Sequence, residues 1–285
     1  MIDLHAHSTA SDGTEPPEVV VAAAAQAGVD VLALTDHDTY AGWPAAVAAA
    51  QEVGVGLVRG VEVSCSHRGV SVHLLGYLVD PDAAGLLAEL EHARDSRLTR
   101  VERMVERMAA DGIPVSLEQV QALAGEGATL GRPHIADALV ANGYVATRDE
   151  AFRDILRNGS RYYVAHYAPD PVRAVELVRQ AGGVPVMAHP FANARGWTVG
   201  DDVVEAMADA GLAGLEAHHR DHRAAERAHA QALAARLGLF VTGSSDYHGS
   251  GKENRLGENT TTAEVLAMIE DQATSGIEVV RAGRS

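Results

Sequence analysis

Short apolar runs of strand length recur along this chain with helical stretches between them, and run after run leads into histidine, aspartate or glutamate. The run at 29–34 leads into Asp36-His37-Asp38, and that at 184–188 into His189-Pro190. The run at 213–217 carries Glu216 and leads to His218-His219, and that at 239–242 leads to Asp246-Tyr247-His248. Strands that alternate with helices form mainly parallel sheets, because a parallel neighbour is reached only through a crossover. In such folds the carboxyl ends of the strands form the ligand-binding face. The pattern therefore predicts an α/β chain that gathers metal-ligating side chains at one mouth.

The remaining strands fit this frame. Residues 1–5 read as the first strand, followed by Ala6-His7. The two-residue spacing of His5 and His7 puts both imidazoles on one face of an extended chain, within reach of one ion. Asp246 and His248 repeat that spacing. Glu62 interrupts Val61 and Val63 in the strand at 56–64, on the opposite face from those valines. His67-Arg68-Gly69 then turns the chain into residues 70–78, a predicted hairpin whose second arm carries His73. Thr14 before Pro16-Pro17 reads as a helix N-cap, and 277–280 as a last strand. Residues 281–285 read as a loose tail.

Between 81 and 163 the periodicity changes. Leu86, Leu87, Leu90, Leu98, Val101, Met104, Val105 and Met108 mostly follow three- and four-residue spacing, and Gly112-Ile113-Pro114 ends that helix. Shorter helices are expected at 116–124, 133–142 and 149–156. Residues 1–80 and 164–285 are thus read as one α/β barrel, and 81–163 as a helical insertion forming a cap or lid.

The chain has 285 residues, enough for a substantial core without a disulfide staple. Its single cysteine, Cys65, permits no internal disulfide, which fits a reducing, cytoplasmic setting. The N-terminus lacks a basic segment and a long apolar run, so no secretory leader is expected. No run approaches the ~18 apolar residues of a membrane span. A formal charge of −16 argues against a broad electrostatic hold on long nucleic acid. A phosphate ligand must be held locally, by metal ions or a few arginines. Histidine and carboxylate donors without thiolates admit Mn, Fe and Zn, with Mg also open. Isolated histidines carry less weight, and His67, His92, His166 and His229 read as surface or satisfied-core residues.

The segments DLHAHSTASDGT, LALTDHDT, RGVEVS, HLLGY, GRPHIADALV, VPVMAHP, GLAGLEAHH and GSSDYHG, in this order, resemble the PHP (polymerase and histidinol phosphatase) superfamily. The likeness extends from residue 1 to about 270 and is greatest to the stand-alone phosphoesterase branch with a helical insertion. It implies a distorted seven-stranded, TIM-like β/α barrel with a trinuclear site of Mn, Fe or Zn. Carried over by residue, the first metal takes His5, His7, Glu62 and Asp246. Glu62 bridges to a second metal held by His73 and His189, and a third takes Asp12, His37 and His248. Asp12, Asp36 and Asp38 are all open to a loop-capping or turn-forming role, the last two above all.

The resemblance also implies that Arg132 and His134 of GRPH reach the substrate phosphate. His134 or His219 would protonate the leaving oxygen. The segment after Glu216 departs from the family pattern, which leaves His218, His219 and His222 open as pocket residues. The implied activity is metal-dependent hydrolysis of phosphate monoesters on small nucleotides. The foremost substrate is a nucleoside 3′,5′-bisphosphate cleaved at its 3′-phosphate, with trimming of short 5′-phosphorylated RNA as a related activity. The expected partner is a small phosphorylated nucleotide or short oligonucleotide, with no membrane involved. A histidinol-phosphatase-like enzyme and a polymerase-associated proofreading module are the alternatives. The second is weakened by the lack of a basic run. A degenerate, non-catalytic scaffold is disfavoured by the full ligand set.

Overall fold

The computed structural model describes residues 1–125 and 127–281, so positions 282–285 of the tail lie outside the described residues. Seven strands lie side by side in chain order: β1 (Ile2–Ala6), β2 (Val31–Leu34), β3 (Gly56–His67), β4 (Val70–Tyr77), β5 (Val184–Met187), β6 (Gly214–His218) and β7 (Phe240–Gly243). β1, β2 and β3 pair in parallel, as do β5, β6 and β7. β4 is antiparallel to both neighbours. Beyond β7 the chain comes back to β1: the His7 N–H donates to Tyr247 O at 2.8 Å, and Ala6 bridges Tyr247. The sheet is a nearly closed barrel.

The β3–β4 hairpin turns through Arg68 at φ 50° and Gly69 at φ 84°. Two left-handed central residues match the twist of the flanking strands, which is why such tight hairpins use them. The register sets Ser64 opposite His73 and Glu62 opposite Leu75. Because β4 runs antiparallel, its amino-terminal half, and so His73, lies at the mouth formed by the carboxyl ends of the parallel strands.

Helices α1 (Pro17–Gln26) and α2 (Trp43–Val53) follow β1 and β2, while α7 (Pro171–Gln180), α8 (Asp201–Asp209), α9 (Ala224–Leu237) and α10 (Ala263–Gln272) serve the second half. Leu266 and Ile269 of α10 pack with Leu4, Val58, Leu75 and Val186. The Thr261 N–H just before α10 donates to Ile2 O at the start of β1. α10 therefore covers the amino ends of the strands and leaves the carboxyl ends open.

The insertion comprises α3 (Ala84–Ala110), α4 (Leu117–Ala124), α5 (Arg132–Ala141), α6 (Arg148–Ala151) and a π-helical turn, Phe152–Leu156. Leu86 and Leu90 of α3 join the barrel core with Val175 and Val178. From Val101 onward the apolar residues form a separate core, including Met104, Met108, Val120, Ile135, Leu139 and Leu156. One long helix is thus shared by the barrel and the insertion.

Two local expectations change. Residues 277–280 form no strand: Val280 makes a single antiparallel pair with Leu57. β3 pairs with β2 through Gly56–Arg59 and with β4 only from Gly60 onward, so the second edge at Leu57 is open to a short visitor. Thr14 caps no helix, since α1 starts at Pro17, whose ring already fixes φ and removes a donor. The Thr14 N–H instead donates to His248 O at 3.1 Å, tying the β1 loop to the β7 loop. Gly13 makes that loop possible: a Cβ there would come within 2.7 Å of His7 O.

Candidate metal centre

The polar strand ends converge at the barrel mouth. His5, His7, Glu62 and Asp246 each offer a ligand atom, and these atoms lie within 4.8 Å of one another. The same holds for His7, Asp12, His37 and His248, and for His37, Glu62 and His73. Glu62 is the hub. Its Oε2 lies 3.1 Å from His5 Nε2, 3.0 Å from His7 Nε2 and 3.3 Å from His37 Nδ1. Its Oε1 lies 2.8 Å from His73 Nδ1 and 3.3 Å from His189 Nε2. Asp246 Oδ1 lies 3.5 and 3.4 Å from the Nε2 atoms of His5 and His7. Asp12 Oδ1 is 3.3 Å from His248 Nε2. All nine residues expected from the sequence to hold metal are therefore in one cluster, with His37 placed between the Glu62 and Asp12 groups.

The donor set suits divalent cations. Asp12 Oδ1, His37 Nδ1, His73 Nδ1 and His248 Nε2 are buried and lack a hydrogen bond. Atoms this close that fail hydrogen-bond geometry face a shared space rather than one another. His189 at φ 30° and Asp246 at φ 55° hold left-handed backbone, which costs non-glycine residues energy and concentrates at functional sites.

Burial opposes charge on these carboxylates and on His5 and His7, and there the charged neighbours outweigh it. Glu62 is held well below the carboxylate range by His37, His5 and His73. Asp12 is lowered by His248 and His37, and Asp246 by Lys252, His248 and Arg195. His7 rises to about 9 against its desolvation because it faces Asp246 and Glu62. His5 rises through Glu62, Glu216 and Asp246. Burial keeps His37 and His189 low and puts His248 at about 4. Ionised carboxylates and neutral imidazoles are the forms that ligate metals.

A second layer of side chains orients these histidines and carboxylates. His5 Nδ1 donates to Glu216 Oε1 at 2.9 Å, and the His189 N–H donates to Glu216 Oε2 at 2.8 Å. A carboxylate behind a ligating histidine fixes its tautomer and ring orientation. Asp36 accepts from the Ser8 N–H and from the Ser8 and Ser11 hydroxyls at 2.7–2.8 Å. Asp38 accepts from the Ser64 N–H at 2.8 Å and from Arg97 Nε at 2.9 Å. Both aspartates organise loops. Arg195 Nη2 and Lys252 Nζ reach Asp246 Oδ2 at 2.5 and 3.0 Å. Glu216, Arg97, Arg195 and Lys252 have no assigned role in the sequence reading. Lys252 had a signal, being the single lysine of the chain.

The insertion reaches the same mouth. The Thr129 N–H donates to Ala10 O in the loop that carries Asp12, and Arg94 donates to Asp38 O. Arg132 lines a cavity of about 500 Å³ together with His73, His189 and Arg195. Its guanidinium donates to Leu156 O and Asn158 Oδ1 and lies over the rings of Phe152 and Tyr163. His134 is buried, and its Nδ1 accepts from the Gly131 N–H at 3.0 Å. His219 Nδ1 accepts from the Asp221 N–H, while its Nε2 lies 3.4 Å from Asp246 Oδ2 without a hydrogen bond.

The other histidines lie elsewhere. His218 contacts Gln231, and His222 Nδ1 donates to Ala217 O away from the cavity lining. His67 and His229 pair with Asp170 and Asp201, and His92 stacks on Tyr167. His166 departs from the satisfied role expected of it, because its Nε2 is buried without a partner. No helix of the described residues is long and apolar enough to cross a membrane.

Known proteins resemble this chain in sequence and fold. The PHP domain matches residues 3–101. The chain is 37% identical over 254 residues to a phosphoribosyl 1,2-cyclic phosphate 1,2-diphosphodiesterase of Eggerthella lenta, covering 87% of this chain and 94% of the relative. It is 35% identical to a 3′,5′-nucleoside bisphosphate phosphatase of Chromobacterium violaceum over 89% of each chain. It is 38% identical to a 5′-3′ exoribonuclease of Haemophilus influenzae over 66% of this chain and 68% of the relative. The fold matches that of a Bifidobacterium adolescentis protein, provisionally described as a metal-dependent phosphoesterase, with a TM-score of 0.93 and 40% identity over 96% and 97% of the two chains. With its barrel and its convergent histidines and carboxylates, the chain belongs to the PHP family and is a metal-dependent phosphoesterase.

Proposed function

We propose that the chain removes the 3′-phosphate of nucleoside 3′,5′-bisphosphates, and that short 5′-phosphorylated RNA ends enter the same site. The observation that carries this reading is the cavity beside His73 and His189. Arg68, Arg132 and Arg195 line it, and no carboxylate does among the described residues. In a chain of charge −16 such a pocket is a local anion site.

Three divalent ions, Mn, Fe or Zn, would be held by His5, His7, Glu62 and Asp246, by Glu62 and His73 with His189 or His37, and by Asp12, His37 and His248. Bound there, they neutralise phosphate charge and acidify water. The chain's own residues do the rest. Glu216 holds His5 with Nδ1 protonated, which leaves Nε2 free to ligate. Arg132 offers a forked donor to a phosphate. The Asp221 N–H at His219 Nδ1 keeps the proton of a neutral His219 on Nε2, where it is available to a leaving oxygen. His134 likewise accepts at Nδ1, from the Gly131 N–H at its own helix start, and is the alternative donor to the leaving oxygen. The insertion acts as a lid that admits chain ends and small nucleotides.

A second reading, hydrolysis of a cyclic phosphoribosyl diester, is favoured by the Eggerthella relative, of which 94% is covered. A phosphate-release screen of Mn-loaded protein decides between them, alongside elemental analysis. It compares nucleoside 3′,5′-bisphosphates, a phosphoribosyl 1,2-cyclic phosphate, mononucleotides, histidinol phosphate and short 5′-phosphorylated RNA. Nucleoside bisphosphates should give the highest kcat/KM. Preference for the cyclic diester, or for histidinol phosphate, overturns the first reading.

A further inference from the structure

The chain has two tryptophans, and they differ sharply. Trp43 is 6% exposed, and its indole N–H donates to Gly60 O. Trp197 is 89% exposed and lies on the rim of the cavity that holds Arg68, Arg132, His73 and His189. Its loop is anchored on both sides. Arg195 is paired with Asp221 and Asp246, the Thr198 hydroxyl donates to Asn193 Oδ1 at 3.1 Å, and Val199 is buried in the barrel core. The indole is therefore presented to water by a fixed backbone.

A lone exposed apolar side chain is ordinary. This one adjoins the acid-free, arginine-lined pocket that the phosphoesterase reading assigns to substrate. Arg68, on the same cavity, takes φ 50°, a conformation that glycine or asparagine adopts with less strain. Among the described residues its side chain makes no ion pair. A cation without a partner and a flat apolar ring on one rim match a ligand with an anionic group and an aromatic face.

We propose that Trp197 is a stacking platform for the nucleobase, so that this site selects nucleotides over sugar phosphates that lack a base. The proposal rests on the nucleotide-phosphatase reading and deepens it. Stacking on an indole accepts any base, because every base has a π face. The platform therefore predicts little preference among the four bases and a clear preference for having one.

Two variants, Trp197→Ala and Trp197→Phe, test this against wild type. In metal-loaded protein, kcat/KM is measured for adenosine 3′,5′-bisphosphate and for the abasic ribose 3,5-bisphosphate. Trp197→Ala should lower the ratio of the two by roughly 5- to 100-fold, mainly through KM for the nucleotide, and Trp197→Phe should restore most of it. Acrylamide quenching gives a readout without turnover. Because Trp43 is buried, the accessible signal is that of Trp197, and adenosine 3′,5′-bisphosphate should shield it where the abasic compound does not. An unchanged ratio in Trp197→Ala overturns the platform. If wild type turns over neither bisphosphate, the substrate reading fails, and the quenching titration still decides the platform: a Trp197 left unshielded by the nucleotide overturns it.

Discussion

Replacing Glu216 by glutamine should weaken metal binding without touching a proposed ligand. Glu216 is fully buried, and burial alone would raise its pKa, but His5, His219 and His189 bring it down to about 2, so it is ionised near neutral pH. Oε1 accepts from His5 Nδ1 at 2.9 Å and from the Ser244 hydroxyl at 2.5 Å, and Oε2 accepts from the His189 N–H at 2.8 Å. Glutamine keeps the volume but turns one acceptor into a donor. If its oxygen stays on His5 and Ser244, its NH2 meets the His189 N–H, and buried donors without acceptors cost about 1–3 kcal/mol each. If the amide flips, its NH2 meets His5 Nδ1. That nitrogen must then accept, and the proton moves to Nε2, the atom that faces Glu62 and Asp246. Either arrangement misaligns or blocks a ligand. Loss of such a supporting carboxylate costs roughly 10- to 100-fold in metal affinity, about 1.4–2.7 kcal/mol. Calorimetric titration of Mn into chelator-stripped protein measures this, with kcat/KM at low and saturating Mn as a second readout. Excess Mn should restore part of the activity. A folded Glu216→Gln protein with wild-type Mn affinity would refute the orienting role.

Glu62→Gln removes the carboxylate that faces five imidazoles, and turnover should be almost entirely lost while far-UV circular dichroism is unchanged. His92→Gln, on the Tyr167 stack, should keep wild-type rates. Arg132→Ala should weaken substrate binding or turnover by about 1–3 kcal/mol with unchanged metal content. A circular single-stranded RNA should resist wild-type enzyme, and efficient cutting of such a circle would reject the lid. His166→Gln should flatten the acid limb of the stability curve. Burial, then Arg97, Arg100, Arg132 and His73, lowers His166 to about 3, so charging it disfavours the fold. Its stabilising contribution is complete above the unfolded value of 6.5 and is lost as pH falls toward 3. Urea unfolding of the metal-free protein should show wild type losing about 1–2 kcal/mol more than the variant between pH 6.5 and 4, after allowance for solvent screening.

Much of the barrel, and the gathering of histidines and carboxylates at its mouth, was legible in local pattern, while the sharing of those residues among three metals was implied by the family resemblance. His5 and His7 share a face because strand periodicity is two, and the apolar rows of α3 announce a helix because its period is 3.6. Strand–helix alternation puts His37, His189 and Asp246 at one mouth wherever the chain closes. None of this depends on long-range partners. The tertiary structure decided what pattern could not. Asp12, Asp36 and Asp38 occupy similar polar loops, yet Asp12 faces His248 while Asp36 binds Ser8 and Ser11 and Asp38 binds Ser64 and Arg97. Glu216 sits at a strand end like the proposed ligands, and only the register of β6 against the rest of the barrel puts it behind His5, 211 residues away. Arg97 acquires meaning only when the insertion folds back over the mouth, where it pairs with Asp38. Residue spacing sets which face a side chain takes. What it meets on that face depends on strand register and barrel closure, which join residues from opposite ends of the chain.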